Sequence, residues 1–185
     1  MKESQVTDTE LVRSCLEGNM DSYRTLMDRY REPALALALN ILTNFQDAED
    51  ACQEGFLRAY KKMHTFDLER NFRNWFYALL SNACLDQLRK RKNFFQFVGR
   101  FRKEQPSAAE AQSAARVSAG EFDFRYLRGL SPAERASLYL WSQEGCSGEE
   151  IAAVLGCSRK TAYVHLFRAR TKLKAALKGE KHGTP

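Results

Sequence analysis

An all-α fold of two small helical domains joined by a flexible linker, the C-terminal one a helix-turn-helix, is predicted by three features of the sequence. Apolar residues recur at steps of three and four, with no strand-like alternation. Gly and Pro, at 10 and 4 of 185 residues, are too few to interrupt the chain often. The stretch from Gln105 to Gly120 is small, polar and poor in large apolar side chains, the composition of a tether. Domains are therefore expected at 1–100 and 121–185, with 101–120 as the linker.

Thr7 and Glu10 form a capping box that starts a short helix, which stops near Gly18. A longer helix is expected from about Asp21 toward Thr43, with Pro33 kinking it. Gln46 and Asp47 open a third helix that reaches about Met63, and His64 to Asn71 is a polar connection. The fourth helix runs from about Phe72 to Lys92, where Arg89, Lys90, Arg91 and Lys92 suit the negative end of the helix dipole. The aromatics of Phe94 to Phe101 should be hidden, either against the first domain or on a partner. Beyond the linker, Ser131 and Glu134 bracket a capping box with Pro132 at the first helical position. Ser147 and Glu150 start the next helix, Ile151, Ala152 and Leu155 give it a buried face, and Gly156 stops it.

Ser158 with Thr161 then opens the last helix, in which Ala162, Leu166, Ala169 and Leu173 form an apolar stripe. Lys160, Val164, Arg168 and Thr171 must face away from that stripe, with Arg159, Tyr163 and Phe167 alongside. This is the layout of a helix-turn-helix whose second helix enters the major groove, and equally of a helical hairpin with a solvated basic face.

Two further constellations stand out. On the third helix, Asp47, Asp50, Glu54, Leu57 and Arg58 share a face with Gln53 beside them, while Ala48, Cys52, Phe56, Ala59 and Met63 line the core side. The acidic stripe fits either a solvated face favoured by the helix dipole or a docking surface for an arginine-rich partner. From Phe66 to Lys92, aromatics alternate with cations and amides. Phe72, Phe76, Leu79 and Ala83 are core, and Trp75 lies in the core or at its edge. The same mixture serves single-stranded nucleic acid, on which rings stack.

A net charge of +6 favours a polyanionic partner. No apolar run approaches a membrane span or a signal peptide, so a cytoplasmic protein without membrane insertion is expected. The five cysteines, Cys15, Cys52, Cys84, Cys146 and Cys157, lack metal spacing and read as reduced thiols. With no glycine-rich phosphate loop and no partners for His64, His165 or His182, no catalytic residue, metal or cofactor is expected.

Asp47-Ala48-Glu49-Asp50, Gln53-Glu54, Phe56, Phe72-Arg73-Asn74-Trp75 and Leu85-Asp86 through Arg91 resemble the second region of a bacterial extracytoplasmic-function sigma factor, a branch of the primary-sigma superfamily. Leu130-Ser131-Pro132, Glu134-Arg135, Glu149-Glu150-Ile151-Ala152, Leu155-Gly156 and Arg168-Ala169-Arg170 resemble its fourth region. The resemblance implies binding to core RNA polymerase through Asp47, Asp50, Gln53, Glu54, Leu57 and Arg58. It implies recognition and opening of the minus-ten element by Phe66, Arg70, Asn71, Arg73, Trp75, Asn82 and Asp86, with Arg89, Lys90 and Arg91 on phosphates. The minus-thirty-five element would be read by Ser158, Arg159, Lys160, Thr161, Tyr163, Val164, His165, Phe167 and Arg168. A typical member carries Lys, Ser and Arg where this chain has Tyr163, Val164 and His165, which implies more apolar contact, such as to thymine methyls. An anti-sigma factor is implied as a further partner.

Two other functions fit parts of the pattern. An autonomous helix-turn-helix regulator would need no Asp47–Glu54 face and would normally need a dimer, for which no heptads are present. A single-stranded nucleic-acid binder built on the Trp75 region would leave the C-terminal domain unexplained.

Overall fold

The computed structural model describes residues 6–101, 127 and 129–180, with side chains for all of these but 94–101 and 179–180. Among them, α1 (Asp8–Leu16), α2 (Met20–Leu42), α3 (Phe45–Lys62) and α4 (Phe72–Phe101) form the first unit, and a 3₁₀ turn (Met63–Thr65) follows α3. The second unit holds α5 (Pro132–Ser142), α6 (Gly148–Leu155) and α7 (Arg159–Glu180). The expected linker falls outside the described residues save for Phe101, and so do the side chains of Phe94 to Phe101, whose backbone extends α4 past its expected end.

The helices begin where local chemistry supplies partners for their free N–H groups. Full capping boxes form at Thr7–Glu10, Ser131–Glu134 and Ser147–Glu150. The Asn19 and Asn44 side chains accept from the first turns of α2 and α3. Helix α2 runs through Pro33 without a break. Gly156, at φ 60°, takes the left-handed conformation that turns the chain from α6 into α7.

The core of the first unit gathers Leu26, Leu37, Ile41, Phe76, Tyr77 and Leu80, all fully buried. Helices α3 and α4 approach closely at Gly55, where an added Cβ would meet Leu80 Cδ1 at 3.1 Å. This core does not stop at the expected boundary: Ala136, Leu140, Cys146, Ile151, Val154 and Ala162 of the second unit belong to the same buried cluster. Leu127, Leu130, Leu138, Leu166 and Ala169 make a smaller cluster of their own, with Leu173 against it. Helix α5 packs on α2, and α6 packs on α4.

One buried cation organises the seam. Arg135 is 9% exposed, and its guanidinium donates to the carbonyls of Asn40 and Ile41 at 2.5 Å and of Leu130 at 2.6 Å. Asn40 and Ile41 close α2, where carbonyls lack helical partners and the dipole is negative. Tyr139, one turn along α5, places its hydroxyl 3.3 Å from the Pro33 carbonyl and 3.2 Å from Glu144 Oε1. Arg135→Met, which keeps the stem and removes the donors, should lower unfolding free energy by about 2–4 kcal/mol and loosen the two units. Urea titration with small-angle scattering checks this; an unchanged midpoint and radius of gyration would mean the seam does not rest on Arg135.

Candidate nucleic-acid and docking interfaces

The acidic stripe of α3 is paired with Arg58 of the same helix and with Arg91 of α4. Asp50, Gln53 and Glu54 are exposed, and Leu57 is 46% exposed beside them. Arg58 bridges Glu54 at 2.7 Å and Asp86 at 3.2 Å, Asp86 also pairs with Arg89 at 3.1 Å, and Arg91 reaches Asp47 at 3.1 Å. The hydrogen bond from Arg58 holds the Glu54 carboxyl below the usual carboxylate range. All six residues expected at the docking face therefore share one side of α3, Asp50, Gln53, Glu54 and Leu57 exposed and Asp47 and Arg58 half-buried, with Asp86, Arg89 and Arg91 joined to it.

The residues expected at the minus-ten element divide into two groups on α4. Arg73 and Asp86 are thirteen positions apart, roughly 20 Å along the helix. The first group gathers at the start of α4. The 3₁₀ turn delivers Phe66 into an aromatic cluster, 5.0 Å from Trp75 and 5.6 Å from Phe72 between ring centroids. At 6% exposure Phe66 stands behind this surface and supports Trp75, which is half-buried. Asn71 caps α4 by accepting from the Asn74 N–H at 3.2 Å, and exposed Arg70 pairs with Asp67. The second group is Asn82, Lys90 and the docking-side residues Asp86, Arg89 and Arg91, with Asn82 and Lys90 exposed.

Arg73 is turned toward the second unit. Its guanidinium donates to the Glu144 carbonyl at 3.1 Å and lies 3.8 Å from the carboxylates of Glu144 and Glu150. Asn74 Nδ2 donates to Glu150 Oε1 at 3.0 Å. That hydrogen bond, with those from Ser147 and the charge of Arg73, lowers the Glu150 carboxyl's pKa. Arg73 Nε and Asn74 Oδ1 are enclosed without a hydrogen-bond partner among the described residues. The sequence pattern placed Asn74 and Glu150 in motifs without an interface role and did not single out Glu144; the signal for Asn74 was its place between two assigned residues.

The last helix keeps its expected faces. Ala162, Leu166 and Ala169 are buried, Leu173 packs against them, and Arg159, Lys160, Tyr163, Val164, Phe167 and Arg168 are exposed, Phe167 by 71%. Ser158 caps the helix through the Thr161 N–H at 3.1 Å. His165 is half-buried toward α5 and lines a small cavity with Ile41, Ser81 and Cys157. Among the described residues no cluster of three or more His, Cys, Asp or Glu is placed to hold a metal, and no helix is long and apolar enough to cross a membrane.

The family model for sigma-70 region 2 matches residues 26–94, and that for sigma-70 region 4 matches 125–173. The chain is 33% identical over 81 residues to the ECF RNA polymerase sigma factor SigW of Bacillus subtilis, an alignment covering 44% of this chain and 43% of that protein. It is 26% identical over 185 aligned positions to the ECF RNA polymerase sigma-E factor of Escherichia coli K12, covering 90% of this chain and 92% of the relative. Among solved structures, CnrH in complex with the cytosolic domain of CnrY superimposes with a TM-score of 0.67 at 26% identity, over 93% of this chain and 97% of CnrH. The sigma factor RpoE in complex with the anti-sigma factor NepR from Bartonella quintana does so with a TM-score of 0.68 at 27% identity, over 84% and 96%. Matched by both region models, in the order its helices follow and together over more than half its length, the chain belongs to the sigma-70 factors, and the relatives SigW and sigma-E are extracytoplasmic-function members of that family.

Proposed function

We propose that this chain is a sigma factor that binds core RNA polymerase and directs it to a class of promoters. The observation that carries the reading is the pairing of the two sigma regions, in order, with an exposed acidic face on α3 and an exposed cationic face on α7. The chain supplies specificity and the polymerase the chemistry, so the protein itself is not an enzyme, and it acts in the cytoplasm. In this reading Asp47, Asp50, Gln53, Glu54, Leu57 and Arg58 hold the polymerase. The cluster around Arg70, Asn71, Arg73 and Trp75 captures the opened minus-ten strand, with Phe66 supporting the Trp75 ring. Asn82 and Asp86 belong to the same element, and Arg89, Lys90 and Arg91 hold phosphates, which contributes affinity and salt dependence but little sequence information. Helix α7 reads the minus-thirty-five element. An anti-sigma factor is the expected antagonist, since the structural neighbours CnrH and RpoE are each held by a partner protein. The domains are assigned as 1–100 and 121–185.

In the closed arrangement Arg73 and Asn74 are engaged by Glu144 and Glu150, so the two units must part for that surface to meet DNA. Run-off transcription with purified bacterial core polymerase on genomic promoter fragments tests the function. Discrete new transcripts that share two upstream motifs are expected; specific duplex binding by the chain alone, without transcripts, would favour the autonomous regulator.

Glu54→Lys should weaken polymerase binding at least about tenfold while leaving helicity intact, because it reverses charge on the exposed stripe and repels Arg58. Fluorescence titration with core polymerase checks this, and normal affinity would remove Glu54 from the interface. Arg168→Ala should cost about 1–3 kcal/mol of promoter affinity at one base position if its contact is bidentate. Base-substituted promoters in a gel-shift series decide it, since an equal loss on every sequence would mean a phosphate contact. Glu150→Gln should raise the free chain's affinity for single-stranded minus-ten DNA about two- to tenfold by weakening the hold on Arg73. Because the folded Glu150 pKa is depressed, its contribution is present at neutral pH and is lost only as pH falls through that lowered value. A fluorescence-transfer pair across the two units should therefore report opening in acid; the same separation at every pH would remove Glu150 from the seam.

A further inference from the structure

Position 163 is where the reading helix departs from the expected cation, and its tyrosine does not simply project into the groove. The Tyr163 ring lies back on α6: a Cβ added to Gly148 would stand 2.6 Å from Tyr163 Cζ, 2.8 Å from Cε2 and 2.9 Å from the hydroxyl oxygen. No side chain other than hydrogen fits beneath the ring. The guanidinium of Arg159 lies over the same ring, 5.6 Å from its centroid, and its Nε pairs with Glu149 Oε1 at 2.8 Å. Gly148, Tyr163, Arg159 and Glu149 thus form a stack that crosses from the start of α6 to the start of α7.

The ion pair alone would not hold Arg159 in place. Both its side chains are largely exposed, 65% for Arg159 and 52% for Glu149, and exposed pairs are weak and screened by salt. A ring braced on backbone is a firmer platform, because Tyr163 is 47% exposed yet cannot retreat toward α6. Glu149 lies against Nε as an ion pair and the Tyr163 hydroxyl supports the charged guanidinium, and a fork of five N–H donors still has donors for a bidentate acceptor. A cation fixed in the first turn of a reading helix is where base edges are met, and guanine O6 and N7 are the acceptors that fit such a fork.

We infer that Arg159 specifies a guanine in the upstream promoter element and that Tyr163, seated on Gly148, is the positioning residue that aims it. The inference rests on the sigma reading of α7. It assigns to this chain a reading cation four residues before the position where a typical member carries one.

The test uses holoenzyme assembled from the full chain and core polymerase, with duplex fragments randomised across the upstream element and sequenced after binding. Arg159→Ala should erase a guanine preference at one position, by tenfold or more. Tyr163→Ala should erase it at the same position, and the double variant should lose nothing further there. Gly148→Ala, which keeps both side chains but displaces the ring, should relax the same position. Tyr163→Phe, which keeps the ring but removes the hydroxyl that supports the Arg159 guanidinium, should keep more of the guanine preference at that position than Tyr163→Ala does. A uniform loss on all sequences with Arg159→Ala would overturn the base contact. A shift at a different position with Tyr163→Ala would mean that the tyrosine reads DNA itself. A parent holoenzyme with no upstream preference would overturn this inference together with the sigma reading, whereas the other failures overturn the inference alone. Melting temperatures within a few degrees of the parent confirm that the comparison concerns recognition, and Gly148→Ala, at an N-terminal helix position, has no backbone reason to unfold.

Discussion

The arrangement of the two units depends on a guanidinium that has been taken out of water. Arg135 gives its donors to carbonyls at the end of one helix and to a carbonyl of its own loop, and among the described residues no carboxylate hydrogen-bonds to it. Burial pulls its proton affinity down, yet a guanidinium stays charged at any accessible pH. The desolvation cost is offset because carbonyls at a helix C-terminus are short of partners and sit at the negative end of its dipole. With α5 seated on α2 in this way, Tyr139 meets the Pro33 carbonyl and Glu144 comes to Arg73. Helix α6 then lies along α4, and the buried cluster runs through both units.

Electrostatics divides the exterior. On α3, carboxylates stand out to solvent while Arg58 of the same helix and Arg91 of α4 neutralise part of them. Such exposed pairs contribute little to stability, so a partner can exchange them at small cost. On α7 the balance is reversed, with Lys160 and Arg168 beside the apolar surface of Val164 and Phe167. A polymerase and a duplex can thus be engaged through opposite charge on separate units.

What could be read from the sequence was what is local. Capping boxes at Thr7, Ser131 and Ser147 named the helix starts, and the stripe from Ala162 to Leu173 named the buried side of α7, because each depends on residues within one or two turns. The acidic face of α3 was legible for the same reason. Long-range allegiance was not. Glu150 is fully explained by its capping box, and that explanation hides its second oxygen, which reaches Asn74. Arg135 follows a helix-start glutamate on a helix whose cations would ordinarily be exposed, so nothing nearby announces its burial. Phe66 looked like a surface aromatic of a polar connection until the turn after α3 carried it beneath Trp75.

The seam at Arg73 sets up a competition. A guanidinium bonded to a neighbour's carboxylates is withheld from phosphates and bases, so in the proposed reading the chain's apparent affinity for an opened promoter strand would be its intrinsic affinity scaled by the fraction of molecules with that contact broken. If the contact favoured closure by about 2.7 kcal/mol, only about one molecule in a hundred would be competent at any moment. Yet the contact is imperfect, for Arg73 Nε and Asn74 Oδ1 are enclosed without hydrogen-bond partners among the described residues, and those two atoms gain water as a partner as soon as the surfaces separate. Free protein would then ignore most of the genome's single strands, while a ligand that prefers the separated form would need only modest differential affinity to recruit it.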